Sequence, residues 1–206
     1  KKFSFQKRRN MIRIKTKADY EKYYTKSVEN PEGFWGEIAD GFTWQKPYEK
    51  VVDWNFSEPN VKWFTNGKMN ITENCLDRHL EIRGNQTAIL WEPNNPNDAA
   101  ITYTYKELHA EVCRVSNMLK SKGIGKGDRI CFYMPMVAEL AISVLACARI
   151  GAIHSVVFAG FSATALADRI KDATCKAVIC SDGNFRGSKN IPVKSVVDEA
   201  LEQGCD

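Results

Sequence analysis

Arg129-Ile-Cys-Phe-Tyr-Met134, Ala152-Ile-His-Ser-Val-Val-Phe158 and Ala177-Val-Ile-Cys-Ser181 are three short apolar runs, each of a length suited to a strand buried on both faces. Helical stretches lie between them. Pro135 opens one that runs through Arg149, and Ser162 caps a second that runs through Lys171. Strand, helix, strand, helix, strand at this spacing predicts an α/β fold, in which right-handed crossovers build a parallel sheet with helices on both faces.

Working outward, Thr104-x-x-Glu107 reads as a capping box. The stripe Leu108, Val112, Val115 and Leu119 continues that helix to Gly123, where Ile124 is placed as the apolar partner of a C-terminal cap. Asp198 to Gln203 belongs to a further helix. Upstream, Pro93-Asn-Asn-Pro96-Asn-Asp98 separates Ile89-Leu-Trp91 from Ile101-Thr-Tyr103 and predicts a hairpin turn.

The pattern before residue 91 is less regular. Residues 18–90 read as an aromatic-rich, mostly helical and loop segment that wraps onto a neighbouring core. Asn30-Pro31-Glu32 begins a short helix bearing Phe34, Trp35 and Ile38, which stops at Gly41. Asn70-x-x-Glu73 reads as a capping box opening a helix from Ile71 to about Arg83, with Ile71, Cys75, Leu76 and Leu80 on one face. Trp44, Trp54, Trp63 and Phe64 fall in the intervening loops, as anchors. Residues 1–17 form a basic tail, disordered or non-native, with Met11 as a candidate start. Residues 91–206 are expected to be the first, incomplete part of an α/β domain, whose sheet has further strands.

The 206 residues are 44% hydrophobic and 26% charged, which excludes wholesale disorder. The net charge of +4 belongs to the tail, because Lys1 to Lys17 hold eight basic residues and no acid. The remainder has 21 basic against 25 acidic residues, a net of −4. A nucleic-acid partner needs a basic patch on the folded body, so none is expected. Seven cysteines, an odd number with no C-x-x-C pair, fit neither a disulfide framework nor a zinc ribbon. Most sit in apolar runs as reduced thiols, which points to a reducing, cytoplasmic compartment. Pro135, Glu139, Arg149 and His154 interrupt the most apolar stretch, so no membrane span is expected.

Gly123-Ile-Gly-Lys-Gly127 looks like a phosphate-binding loop but closes a helix and opens a strand, the reverse of a phosphate cradle. It reads as a structural turn. His79, His109 and His154 stand apart from one another in the sequence and read as taking ordinary structural roles. Two strand-to-helix loops face the edge where open α/β sheets bind ligands. One is Phe158-Ala159-Gly160-Phe-Ser162, in which Gly160 lets backbone approach a ligand. The other runs from Asp182 to Lys189 and places Arg186 and Lys189 around Gly187 and Ser188. An arginine can fork onto a phosphate or stack on a base, and a lysine acts as a point charge. Solvated loop charges give the same pattern.

These residues and those before them resemble the amino-terminal part of the AMP-forming acetyl-CoA synthetases, adenylate-forming enzymes. The resemblance runs from about Tyr20 onward and rests on Phe34-Trp-Gly-Glu, Trp44-x-x-Pro47, Trp63-Phe-Thr-Asn-Gly67, Met69-Asn70 and Asn74-Cys-Leu-Asp-Arg-His-Leu80. Met134-Pro-Met136, Ala146-Cys-Ala-Arg-Ile-Gly-Ala152 and His154-Ser-Val-Val-Phe-Ala-Gly-Phe-Ser162 continue it. The resemblance implies acetate, ATP and coenzyme A as substrates. Acetate is activated with ATP to acetyl-adenylate, with magnesium assisting, and coenzyme A then takes the acetyl group.

It also implies that Arg186, Gly187, Ser188 and Lys189 hold the nucleotide end of coenzyme A, with Arg186 near the adenine and Lys189 meeting the 3′-phosphate. Lys189 stands where arginine is frequent, which keeps the charge and loses bidentate geometry. Phe158, Ala159 and Gly160 match the loop beside the pantetheine path, with Ala159 replacing a frequent glycine and narrowing the approach. The Ser/Thr/Gly-rich phosphate loop ending in Pro-Lys-Gly, the nucleotide-binding aspartate and arginine, the acyl pocket and the catalytic lysine have no counterpart in these residues. The chain thus resembles roughly the first third of a ligase, is expected to be inactive alone, and has the remainder of its own protein as a partner. A propionyl-CoA synthetase fragment, a stand-alone coenzyme A or nucleotide module, and an interaction protein are the rival readings.

Overall fold

The computed structural model describes residues 12–205, so the basic tail expected over residues 1–17 lies outside the described residues as far as Met11. The described residues form two compact units, divided between Met69 and Asn70.

The first unit opens with α1 (Lys17–Glu29), which the sequence reading did not single out. Its start is specified by a capping box. The Asp19 amide donates to Thr16 Oγ1 at 3.1 Å, and the Thr16 amide donates to Asp19 Oδ2 at 3.0 Å. Helix α2 (Pro31–Ala39) begins as expected, with Asn30 Oδ1 accepting from the Gly33 amide at 2.9 Å. Next come β1 (Lys50–Asn55) and β2 (Asn60–Thr65), paired antiparallel. Trp54, Trp63 and Phe64 therefore stand in strands, correcting their expected place in loops. The alternation is hidden because Val51 and Val52 are both buried, and because Phe64, at φ +49°, interrupts the ladder. Trp44 is in a loop, its ring 5.1 Å from Tyr48 and 5.6 Å from Phe64, and its Nε1 donates to the Ala39 carbonyl at 2.9 Å.

The second unit starts with the stretch expected as one helix from Ile71 to Arg83. It is broken into α3 (Ile71–Cys75), a 3₁₀ turn (Asp77–His79) and α4 (Leu80–Arg83). The expected apolar face does not exist as one face, since Ile71 and Cys75 are exposed while Leu76 is 2% exposed. Turning Leu76 inward costs helical geometry at that residue, whose φ and ψ are −121° and −68°. Asn70 caps through the Thr72 amide at 2.9 Å, and its Nδ2 donates to the Ala148 and Arg149 carbonyls at 3.0 and 3.1 Å.

The hairpin follows as predicted, with β3 (Thr87–Trp91) and β4 (Ile101–Thr104) antiparallel across the proline-asparagine turn. Helix α5 (Tyr105–Ser121) carries the full Thr104–Glu107 capping box. At its end Gly123 has φ +76° and the Ile124 amide reaches back to the Leu119 carbonyl at 3.1 Å. The remaining elements are β5 (Arg129–Met134), α6 (Ala138–Ile150), β6 (Ile153–Phe158), α7 (Ala163–Asp172), β7 (Ala177–Cys180), β8 (Asn184–Arg186), β9 (Lys189–Ile191) and α8 (Val193–Leu201). Helix α6 starts three residues after Pro135 because the Val137 amide folds back to the Pro135 carbonyl at 2.9 Å and the Met136 carbonyl is taken by Trp91 Nε1 at 2.8 Å. The last helix contains Asp198 as expected and ends at Leu201, short of Gln203.

Strands β5, β6 and β7 form the predicted parallel sheet in the order β6-β5-β7. Because β6 and β7 lie on opposite sides of β5, right-handed crossovers send α6 and α7 to opposite faces. Alternate residues of β5 show the result. Ile130 and Phe132 join a cluster with α5 and α6, whereas Cys131 and Tyr133 join one with α7 and α8. Phe132, Ile130 and Leu166 are fully buried, and each such side chain contributes about 1.5–3 kcal/mol. Burial also pushes the Cys131 thiol up to about 12, so it packs as a hydrophobe.

Candidate functional site

The parallel register brings the ends of all three strands to one edge. Phe158 pairs with Met134 across β6 and β5, and Cys180 pairs with Tyr133 across β7 and β5. The two loops singled out from sequence therefore leave the same carboxyl edge, on either side of β5. With strands about 4.8 Å apart, β6 and β7 are separated by roughly 10 Å. No hydrogen bond or ion pair joins the two loops among the described residues.

On the β6 side, Phe158 is 66% exposed, and Ala159 is buried in the cluster with α7 and α8. The Ala159 methyl therefore packs inward. Gly160 is exposed, and a Cβ there would stand 2.5 Å from Cε1 of the Phe158 ring. The close approach that needs glycine is thus made by Phe158 itself. The loop is held from below by the buried Tyr133 hydroxyl, which donates to the Phe161 carbonyl at 2.7 Å. Burial raises the Tyr133 hydroxyl above its ordinary pKa and keeps it a donor. Phe161 meets Phe158 edge to face at 6.0 Å, and the Arg169 guanidinium lies 4.6 Å over the Phe161 ring. Ser162 Oγ accepts from the Ala165 amide at 3.2 Å and starts α7 as predicted.

On the β7 side, the stretch expected as an open loop is a small hairpin. Strands β8 and β9 are antiparallel, with Gly187 and Ser188 as the turn and Arg186 directly opposite Lys189. Gly187 has φ +61°, and a glycine followed by an ordinary residue fits the II′ turn that matches strand twist. Cross-strand partners share a face, so the two cations stand side by side. Both are exposed, and neither has an ion-pair partner among the described residues. Asn94, in the β3–β4 turn, reaches the tip of this hairpin and donates from Nδ2 to the Gly187 carbonyl at 3.0 Å.

The Gly123–Gly127 loop is occupied by its own acid. Asp128 Oδ2 accepts from the Gly125 amide at 2.7 Å and from Lys176 Nζ at 3.1 Å. The Gly125 bond, then the Lys176 bond, hold the Asp128 carboxyl below its ordinary pKa. A carboxylate already fills the place an anion would take.

One polar cluster was missed from sequence. Arg149 forks onto Asp77 at 2.8 and 2.9 Å, and His109 Nε2 lies 3.4 Å from Asp77 Oδ1 and 3.3 Å from Arg149 Nη2. The Arg149 bond holds the Asp77 carboxyl below its ordinary pKa, against the opposing effect of burial. Asp77 and Arg149 lie 72 residues apart, and no local pattern announces their meeting. The cluster ties the 3₁₀ turn to α5 and α6.

Comparison with known proteins completes the picture. Residues 76–205 match the AMP-binding enzyme family, and residues 20–75 match the acetyl-coenzyme A synthetase N-terminus. Acetyl-coenzyme A synthetase of Alkalilimnicola ehrlichii is 51% identical over 192 residues, which cover 93% of this chain and 30% of that protein. Acetyl-coenzyme A synthetase 2 of Pseudomonas aeruginosa is 52% identical over 189 residues, 91% of this chain and 29% of that protein. Acetyl-coenzyme A synthetase of Bdellovibrio bacteriovorus is 50% identical over 190 residues, 92% and 30% respectively. The chain spans about 30% of the length of the curated relatives it matches. With its acetyl-coenzyme A synthetase N-terminus followed by the α/β region just described, the chain belongs to the AMP-binding enzyme family and corresponds to the amino-terminal part of its acetyl-coenzyme A synthetases.

Proposed function

We propose that the parent protein is an AMP-forming acetate–CoA ligase, and that this chain supplies the part of it that receives the nucleotide end of coenzyme A. One observation carries the reading. Like charges directly opposite in a hairpin repel, and Arg186 and Lys189 are placed so, with no ion-pair partner among the described residues. A phosphate between them turns that repulsion into attraction. Lys189 meets the 3′-phosphate, and Arg186 forks onto phosphate or stacks on the adenine. Phe158 and Gly160 border the route of the pantetheine arm on the other side of β5.

Acetate activation by ATP belongs to residues other than these 206, which hold none of the phosphate-loop or catalytic-lysine motifs. Magnesium, attached to adenylation by family resemblance, finds no cluster of three or more His, Cys, Asp or Glu side chains among the described residues. No step is assigned to it on this chain. The division of labour gives a direct test in the full-length protein. Arg186→Ala should raise the KM for coenzyme A roughly tenfold, the worth of one charge-assisted contact, while acetate-dependent ATP–pyrophosphate exchange stays near wild type. An unchanged KM, or an exchange rate that falls in step with it, contradicts the reading.

A further inference from the structure

We infer that Asn94 is a positioning residue for coenzyme A, acting by fixing the turn that sets Arg186 beside Lys189; this rests on the coenzyme A reading of that hairpin. The hairpin has weak means of its own. Its strands are three residues each, and isolated two-stranded ribbons are marginal in water. Its tip carries two like charges face to face, which weakens it further. Ile191 anchors the base against the α7–α8 cluster, yet nothing in that contact controls the tip.

Asn94 does control it. Among the described residues, its bond to the Gly187 carbonyl is the one side-chain hydrogen bond that reaches residues 184–191 from another element. The atom it holds is decisive. Turns of types I′ and II′ differ mainly in the orientation of the central peptide, here the one joining Gly187 to Ser188, and the Gly187 carbonyl is the oxygen of that peptide. Pinning it selects one turn type, and the turn type sets the relative twist of the residues on either side.

The donor is itself held in place. Asn95 Oδ1 accepts from the Asn97 amide at 3.1 Å, Asn95 Nδ2 donates to Asp98 Oδ1 at 3.0 Å, and the Asp98 amide returns to the Asn95 carbonyl at 3.1 Å. Trp91 Nε1 fastens the end of β3 to the Met136 carbonyl at 2.8 Å, in the loop that follows the central strand. The β3–β4 turn is therefore a bracket from the carboxyl edge of the sheet to the hairpin tip, and Asn94 is its contact point.

The test uses the full-length protein and a double-variant comparison. Asn94→Ala should raise the KM for coenzyme A roughly fivefold, the worth of one neutral hydrogen bond, and leave acetate-dependent ATP–pyrophosphate exchange at wild type. Normal exchange also certifies that the variant is folded. In an Arg186→Ala/Lys189→Ala background, adding Asn94→Ala should have no further effect, because its route to the ligand is gone. An unchanged KM in Asn94→Ala overturns the inference, as does an undiminished effect in the doubly substituted background. If Arg186→Ala/Lys189→Ala itself leaves the KM unchanged, the coenzyme A reading fails, and this inference with it.

Discussion

Asp77 shows what a single residue contributes and why the sequence hides it. Its carboxylate lies about one-third exposed, yet it takes two bonds from Arg149 and has His109 beside it, bracing the turn where the helix from Ile71 breaks. Because Arg149 depresses its pKa in the folded chain, the stabilisation is present above the ordinary value of 3.8 and is lost as pH falls through the folded value. Asp77→Asn should therefore lower stability by about 1–2 kcal/mol at neutral pH. Urea denaturation of wild type and variant at pH 7 and pH 3 checks this. The gap should narrow at the lower pH, and an equal gap at both would show that the ion pair is not its source. The places of Arg186, Lys189, Phe158 and Gly160 at or beyond the carboxyl ends of strands could be picked out from sequence, because apolar strand runs end at or shortly before them. Asp77, Arg149 and Asn94 could not, since each acts on a residue more than 70 positions away.

Elements were legible where a local device specified them. The Thr104–Glu107 box, the Gly123 cap and the three apolar strands all carry their signal within a few residues. The β1–β2 ribbon was not legible, because paired rather than alternating burial at Val51 and Val52 erased the two-residue period. The broken helix after Asn70 was misread because burial of Leu76 overrides a sound helical start. The β8–β9 hairpin was read as an open loop, with three-residue strands too short to show alternation. Its geometry yields a prediction at this scale. Gly187→Ala puts a Cβ at φ +61°, a strain of about 1–2 kcal/mol that falls on the turn alone because nothing lies within 4 Å of the new methyl. In the full-length protein, isothermal titration should find coenzyme A binding weakened about tenfold, with the melting temperature within a degree or two of wild type, because the hairpin sits outside both clusters except at Ile191. Binding that survives the substitution would mean the turn type is immaterial.

For the whole molecule, sequence, fold and relatives agree on the α/β region of the AMP-binding enzyme family, with a parallel sheet of order β6-β5-β7. Strand β6 ends the sheet in the described residues, with Ile153, Val156 and Phe158 half or more exposed along it. The division of labour predicts that the 206-residue chain alone gives no acetate-dependent ATP–pyrophosphate exchange, because adenylate formation needs preorganised donors on the phosphates. Exchange by the purified chain that is abolished by changing one of its own residues would contradict this. The central claim, that Arg186 and Lys189 hold the phosphate-bearing end of coenzyme A, is tested most directly by dephospho-coenzyme A, which lacks the 3′-phosphate. In the full-length protein, Lys189→Ala should raise the KM for coenzyme A roughly tenfold and leave the KM for dephospho-coenzyme A at wild type. An equal rise for both substrates would show that Lys189 supports the hairpin and meets no phosphate.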